Sequence, residues 1–317
     1  MVATPDWPMI EATAGESVAD CLTERGGWIR ETLRGEGAIL LRGFPIASVE
    51  DFEAARGEFF REPARYVERA TPRRQLGENV FTSTEFPPSE TIALHNENSY
   101  ATSWPGVLLF CCLDAPDEGG ATPLADVRRV LGRLSKETVS RFVERGGWML
   151  MRNYTPGFGL GWEQAFGTDR REDVDAYCRR ADVLAEWRDG EALLRTRQTR
   201  AVLARHPASD EIVWFNHVRF WHAWGLAEEV RELMTDEFGP EGLPYGTFYG
   251  DGAEIPDAVV EEIDAAYAAE QTSFAWQPGD LLIVDNMLVA HGREPFSGSR
   301  RVVVAMGEPI AREAAAA

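Results

Sequence analysis

Apolar runs of strand length lie far apart in this chain, at 37–44 (GAILLRGF), 104–115 (WPGVLLFCCLDA), 273–286 (SFAWQPGDLLIVDN) and 300–307 (RRVVVAMG). Their β-branched and aliphatic density is that of buried strands. Helical patterns lie between them. Ser48 and Asp51 offer helix-start chemistry before DFEAARGEFF, and 124–134 and 135–147 read as two amphipathic helices, the second with Ser135 as its N-cap and Glu137 in its first turn. The segment 255–270 again has helical period, whereas 184–199 holds Asp189-Gly190 between two strand-like runs, the signal of a hairpin. Strands on either side of helical insertions, without a regular strand–helix–strand alternation, predict a mainly β fold with α insertions: a double-sheet core decorated by helices. No internal repeat, low-complexity linker or break in composition divides the chain, which predicts one domain over 1–317.

A hydrophobic share of 44% over 317 residues can bury a substantial core. The formal net charge of -20 repels polyphosphates, so nucleic acid is not an expected partner and small-molecule chemistry is favoured. The arginine groups at Arg73 and Arg74, Arg128 and Arg129, Arg195, Arg197 and Arg200, and Arg300 and Arg301 read mostly as solvated surface. The N-terminal stretch lacks a basic region followed by an apolar run, and no apolar stretch is long enough to cross a bilayer; the expectation is a cytoplasmic protein with no membrane partner. Cys21, Cys111, Cys112 and Cys178 are too few and too irregular for a disulfide framework or a zinc site and are expected as reduced core thiols.

Five histidines remain to be weighed. His206 sits at an expected turn and reads as exposed. His217 and His222 lie in an aromatic stretch with odd spacing, so an extended strand points them to opposite faces. His95 and Glu97, two apart, face one side of a strand. With a distant second histidine they make a 2-His-1-carboxylate set, which holds one face of an octahedral Fe(II) ion and leaves the other open. His291, at the end of DLLIVDNMLVAH, supplies it. A histidine and glutamate at this spacing are not specific alone; their flanks are.

LHNENSY at 94–100, APDEGGATPLAD at 115–126 and FAWQPGDLLIVDNMLVAHGREPFSGSRR at 274–301 resemble, in order, the blocks of the taurine dioxygenase and clavaminate synthase-like family of Fe(II)/2-oxoglutarate oxygenases. The likeness spans about 35–308 and implies a double-stranded β-helix, the cupin-like jelly roll, with helical insertions. It implies that His95, Glu97 and His291 bind iron and that Thr122 hydrogen-bonds the distal carboxylate of 2-oxoglutarate. An arginine after His291 pairs with the same carboxylate. Arg300 is preferred because FSGSR resembles the amino-acid hydroxylase branch, and Arg301 is the alternative; as neighbours they face opposite ways. The link from His291 to Arg300 is shorter than in many members.

The resemblance implies Fe(II), 2-oxoglutarate and O2 as cofactor and cosubstrates, and hydroxylation of an unactivated C–H bond. Glutamate at 97, in place of the more frequent aspartate, is shared with the clavaminate synthase and asparagine or arginine hydroxylase branch. That points to an amino-acid-like substrate in specialised metabolism, such as antibiotic biosynthesis, free or tethered to a carrier protein. A carrier is usually acidic and would need a local basic face such as 195–205. Arg73 or Arg74, in a turn-rich segment before the iron-binding strand, could hold a substrate carboxylate or be solvated. The glycine-rich segment 153–162 is a mobile lid or a plain loop. Asn216 or His217 lies near the pocket or packs in the core. The rival outcomes are desaturation, epoxidation or cyclisation at the same iron, a metal-dependent hydrolase, and a non-catalytic cupin-like binding protein. The hydrolase has no need of Thr122 or Arg300, and the binding protein could tolerate loss of a ligand, whereas His95, Glu97 and His291 are all present.

Overall fold

A computed structural model describes residues 7–60, 62–64, 68, 73–83, 86–155, 160–188, 193–226, 228–239 and 241–317. The long apolar runs all become strands of one seven-stranded sheet. Its order is Met9–Glu11, Ala38–Arg42, Leu281–Asp285, Ser103–Asp114, Arg301–Ala311, Val80–Thr82 and Gln75–Gly77, antiparallel except for the first pair. Its central strands are buried on both faces, and the strand period of two divides their side chains. Leu41, Leu109, Cys111, Ile283 and Val303 pack outward in one apolar cluster, while Leu40, Leu108, Phe110, Leu282 and Val304 face inward in another. Fully burying each such aliphatic side chain is worth about 1.5–3 kcal/mol, so a one-residue slip of register is disfavoured everywhere at once.

The outward face is covered by the helices Val18–Glu36 and Val49–Phe59, whose Ile29, Leu33, Phe52 and Ala55 join the outer cluster. Ser48 and Asp51 form a full capping box at the second helix, as the sequence predicts. Ser135 likewise accepts a hydrogen bond from the Thr138 N–H at the start of Lys136–Glu144. One expected helix starts later than its pattern. Leu124–Asp126 is strand, because it pairs with Val289–His291, and Asp126 then caps the helix Val127–Arg133.

Facing the large sheet is a small one, ordered Ile92–His95, Val289–Arg293, Leu124–Asp126. The turn Asp285-Asn286-Met287-Leu288 carries the chain from the large sheet to the small one, and Asp285 Oδ1 accepts the N–H groups of Met287 and Leu288 at 2.9 and 3.2 Å. These two facing sheets form the mostly β, cupin-like core. A further sheet, ordered Leu184–Arg188, Leu193–Arg200, Trp148–Tyr154, Tyr245–Tyr249, is inserted between the halves of the core. Its first two strands form the expected antiparallel pair, with the Asp189-Gly190 tip outside the described residues. All four cysteines are buried and unpaired, Cys111 and Cys112 on opposite faces of their strand. No helix among the described residues is long and apolar enough to cross a membrane.

Candidate active site

The small sheet places the two distant histidines side by side: His291 is the register partner of His95, with ring centroids 4.5 Å apart. Gly292 makes this close pairing possible, since a Cβ there would lie 2.6 Å from the Ile92 carbonyl oxygen. Glu97 follows in the turn after His95, and ligand atoms of His95, Glu97 and His291 all lie within 4.8 Å of one another. Its backbone is fixed from the crossing turn: Asn286 Oδ1 accepts the Glu97 N–H at 2.7 Å, and Asn286 Nδ2 donates to the Glu97 and Pro105 carbonyls at 2.9 and 2.8 Å. The DN dipeptide of the sequence thus ties one ligand to the strand leading to another.

Both imidazoles are buried, and burial holds His95 below, and His291 well below, the ordinary histidine value of 6.5. They are neutral at pH 7, as metal ligands must be. The His95 Nδ1–H donates to the Ala93 carbonyl at 2.9 Å, which leaves Nε2 with its lone pair. His291 Nδ1 is buried without a hydrogen-bond partner among the described residues, a cost that coordination to an ion would offset. Two neutral nitrogens and one carboxylate oxygen suit Fe(II).

Beside the triad lies a small cavity lined by residues of both sheets, including Phe110, Val302 and Val304 from the large one and Thr122, Gly292 and His291 from the small one's side. Arg300 also lines it. The guanidinium donates from Nε to the Gly120 carbonyl at 2.8 Å and reaches Ser83 Oγ and Thr122 Oγ1 at 3.3 and 3.4 Å; all these partners are neutral. Burial, then the nearby Arg293, pushes its pKa down to about 10, so it stays cationic at pH 7. A half-buried cation without a carboxylate among the described residues, lining a cavity, is suited to receive an anion. Gly119 and Gly120 both have positive φ, 68° and 67°, and a Cβ at Gly120 would press on the Arg300 side chain at 3.0 Å. Trp276 Nε1 donates to Thr122 Oγ1 at 3.1 Å, fixing the hydroxyl beside the guanidinium.

The model of the family described as taurine catabolism dioxygenase TauD, TfdA family matches residues 5–306. This chain belongs to the TauD/TfdA family. The dapdiamide synthesis protein DdaC of Enterobacter agglomerans is 40% identical over 282 residues, 89% of this chain and 85% of DdaC. A clavaminate synthase-like protein of Arabidopsis thaliana is 27% identical, covering 88% of this chain and 84% of the relative. Among solved structures the fold matches PvcB of Pseudomonas aeruginosa, with TM-score 0.54, 16% identity and coverage of 98% and 88%. It also matches an asparagine oxygenase solved with Fe(II), 3-hydroxyasparagine and succinate, with TM-score 0.56, 17% identity and coverage of 91% and 79%. As a TauD/TfdA member the chain is an Fe(II)- and 2-oxoglutarate-dependent dioxygenase.

Not every residue singled out in this TauD/TfdA chain reaches the cavity. Arg301 is exposed and starts the strand whose register partner is Asp114. Arg74 is exposed, and its backbone N–H donates to Thr82 Oγ1 at 3.0 Å. Asn216 is buried and engages backbone with both ends of its amide, Val202 O at 3.0 Å and Val218 N–H at 3.1 Å. Arg73 does line the cavity, and its Nη2 donates to Glu97 Oε2 at 2.5 Å. The segment 153–162 is described only in part, with 156–159 outside the described residues. Two expectations of exposure are corrected. His206 is buried because its turn folds over the end of Leu281–Asp285, and its Nε2 lies 3.1 Å from Asp285 Oδ2. Arg195 and Arg200 are buried as well, since the inserted sheet packs them against carbonyls and Glu241.

His217 is the neighbour that sequence spacing did not assign. Its ring is 5.6 Å from His95, 5.3 Å from Phe220 and 4.6 Å from Trp221, with Nδ1 2.5 Å from Ser99 Oγ. Burial, and then His95, hold it well below 6.5. A histidine with a depressed folded pKa leaves the unfolded chain binding more protons, so its stabilising contribution is full above about pH 6.5 and is lost as pH falls toward the folded value. The metal-free protein should therefore lose stability below pH 6.5, with His95, His217 and His291 each adding up to about 1.4 kcal/mol per pH unit. Denaturant midpoints measured from pH 8 to 5 check this. A His217→Gln variant should show the shallower slope, and an identical slope would refute the assignment.

Proposed function

We propose that this enzyme hydroxylates an unactivated C–H bond of a free amino-acid-derived substrate, with iron at His95, Glu97 and His291 and the distal carboxylate of 2-oxoglutarate at Arg300 and Thr122. The observation that carries it is a cavity lined by both histidines of a buried two-histidine, one-carboxylate cluster and by a half-buried arginine whose hydrogen-bond partners among the described residues are all neutral. A metal-dependent hydrolase or a plain binding barrel has no use for the second feature.

The iron, when bound, supplies with 2-oxoglutarate and O2 the oxidising power needed to remove hydrogen from such a bond. The protein's part is to bind, orient and dry the site. His95, Glu97 and His291 would supply three ligands, which suit one face of an octahedral ion. Arg300 and Thr122 line the same cavity as His95 and His291, so a planar guanidinium there would hold a dicarboxylate in the cavity beside the triad. Phe110, 5.0 Å from His291, and Phe220, 4.7 Å from His95, exclude water around the metal ligands.

The substrate class rests on Glu97, which stands where other branches have aspartate, and on relatives named for asparagine oxygenation and dapdiamide synthesis. A carrier-tethered substrate is less favoured, because the 195–205 arginines are not a free basic face: Arg195 is buried, and Arg197 is paired with Glu186 and Glu241. Adding 2-oxoglutarate anaerobically to the Fe(II) protein should produce a weak visible charge-transfer band. Admitting oxygen with a panel of free and carrier-bound amino acids should then yield succinate together with a product one oxygen atom heavier. Succinate without any such product would exclude amino-acid hydroxylation, and a product two hydrogens lighter would assign desaturation or cyclisation instead.

A further inference from the structure

Arg73 and Glu97, from separate segments of the chain, form a buried ion pair. Arg73 reaches the cavity beside the triad, its side chain and that of Glu97 are 5% and 6% exposed, and Nη2 lies 2.5 Å from one carboxylate oxygen, Oε2. Glu97 has its main-chain N–H and C=O both held by Asn286, so any freedom in how it meets a metal belongs to its own side-chain torsions. A glutamate has one more of these than an aspartate and can turn either one or both oxygens to an ion.

The difference matters for an octahedral ion. Three protein ligands, two atoms of a chelating keto acid and one of O2 account for all six positions. A glutamate giving both oxygens takes a fourth position and closes the one that O2 needs. We propose that Arg73 is a positioning residue that holds Oε2 of Glu97, so that the metal receives a single carboxylate oxygen and the open face stays open. A guanidinium suits the task because it is never deprotonated at working pH and its planar donors fix direction as well as charge. This rests on the iron site proposed above and adds to it a reason why a glutamate can serve where aspartate is more frequent.

The full-length protein loaded with Mn(II) or Zn(II) tests it. Infrared difference spectra with and without metal, taken with carbon-13-labelled glutamate, report the separation of the two carboxylate stretches, which is wide for one-oxygen and narrow for two-oxygen coordination. The wild type and Arg73→Lys, which keeps one cationic donor, should show the wide separation. Arg73→Gln should show the narrow one while still binding one metal, and its metal-loaded form should bind 2-oxoglutarate about tenfold or more weakly. A narrow separation in the wild type overturns the proposal whatever the variants do. So does a wide separation in Arg73→Gln, or loss of its metal binding, since removing a cation gives no electrostatic reason for weaker metal binding. A wild type that takes up no metal would instead sink the iron site itself.

Discussion

Replacing His291 by alanine will abolish turnover while leaving the protein folded. Only His95 and Glu97 then remain of a cluster whose ligand atoms lie within 4.8 Å of one another. Loss of groups that merely support a metal ligand costs about 10–100-fold in affinity, so loss of a ligand should weaken metal binding by more than about 100-fold. The fold should survive because His291 is held in the small sheet by backbone pairing to His95 and Leu124 on its two sides, which alanine keeps. The substitution also removes a ring nitrogen that is buried without a partner among the described residues, partly offsetting the cavity it leaves. Metal titration, succinate formation and the thermal midpoint of the metal-free protein together check this. Retained turnover with one tightly bound metal would remove His291 from the site.

Arg300 and Arg301 should separate cleanly. An Arg300→Met variant loses the half-buried cation lining the cavity, and charge-assisted bonds to a carboxylate make that loss worth roughly 3 kcal/mol, on the order of 100-fold in the KM for 2-oxoglutarate. Arg301→Ala should stay within about twofold of the parent, as an exposed side chain away from the cavity does. Initial rates against 2-oxoglutarate at saturating substrate decide it. A larger effect at Arg301 than at Arg300 would reverse the assignment. Ser83 and Trp276 contact Arg300 and Thr122 in turn, yet neither stands out in the sequence except that Trp276 lies in the W-x-PGD block. Their approach to Arg300 and Thr122 depends on strands more than a hundred residues apart in the chain.

Arg73 shows how far residue type and segment can lead. The sequence placed it, with Arg74, in the approach to the iron-binding strand and read it as a substrate contact or a solvated loop residue. The structure sends Arg74 outward and Arg73 onto Glu97. Neighbouring positions alternate in direction, but which one turns inward is decided by the strand Gln75–Gly77 and its partner Val80–Thr82 at the edge of the large sheet.

The chain's own order of residues determined the sheet core, the capped helices, the pairing of His95 with Glu97 two residues on, and the block that ends in His291, although the strand stops at His95 and Glu97 stands in the turn after it rather than on the strand the spacing predicts. Each is local, a matter of period, side-chain type and cap chemistry within a dozen residues. Tertiary structure alone decided that His291 lies opposite His95, that Asn286 fastens Glu97, that Arg73 rather than Arg74 turns inward, and that His206 and Arg195 are buried. Those facts depend on how two sheets face each other and on what the inserted segments cover. Register and packing between segments far apart in sequence fix them, and no local pattern carries that information.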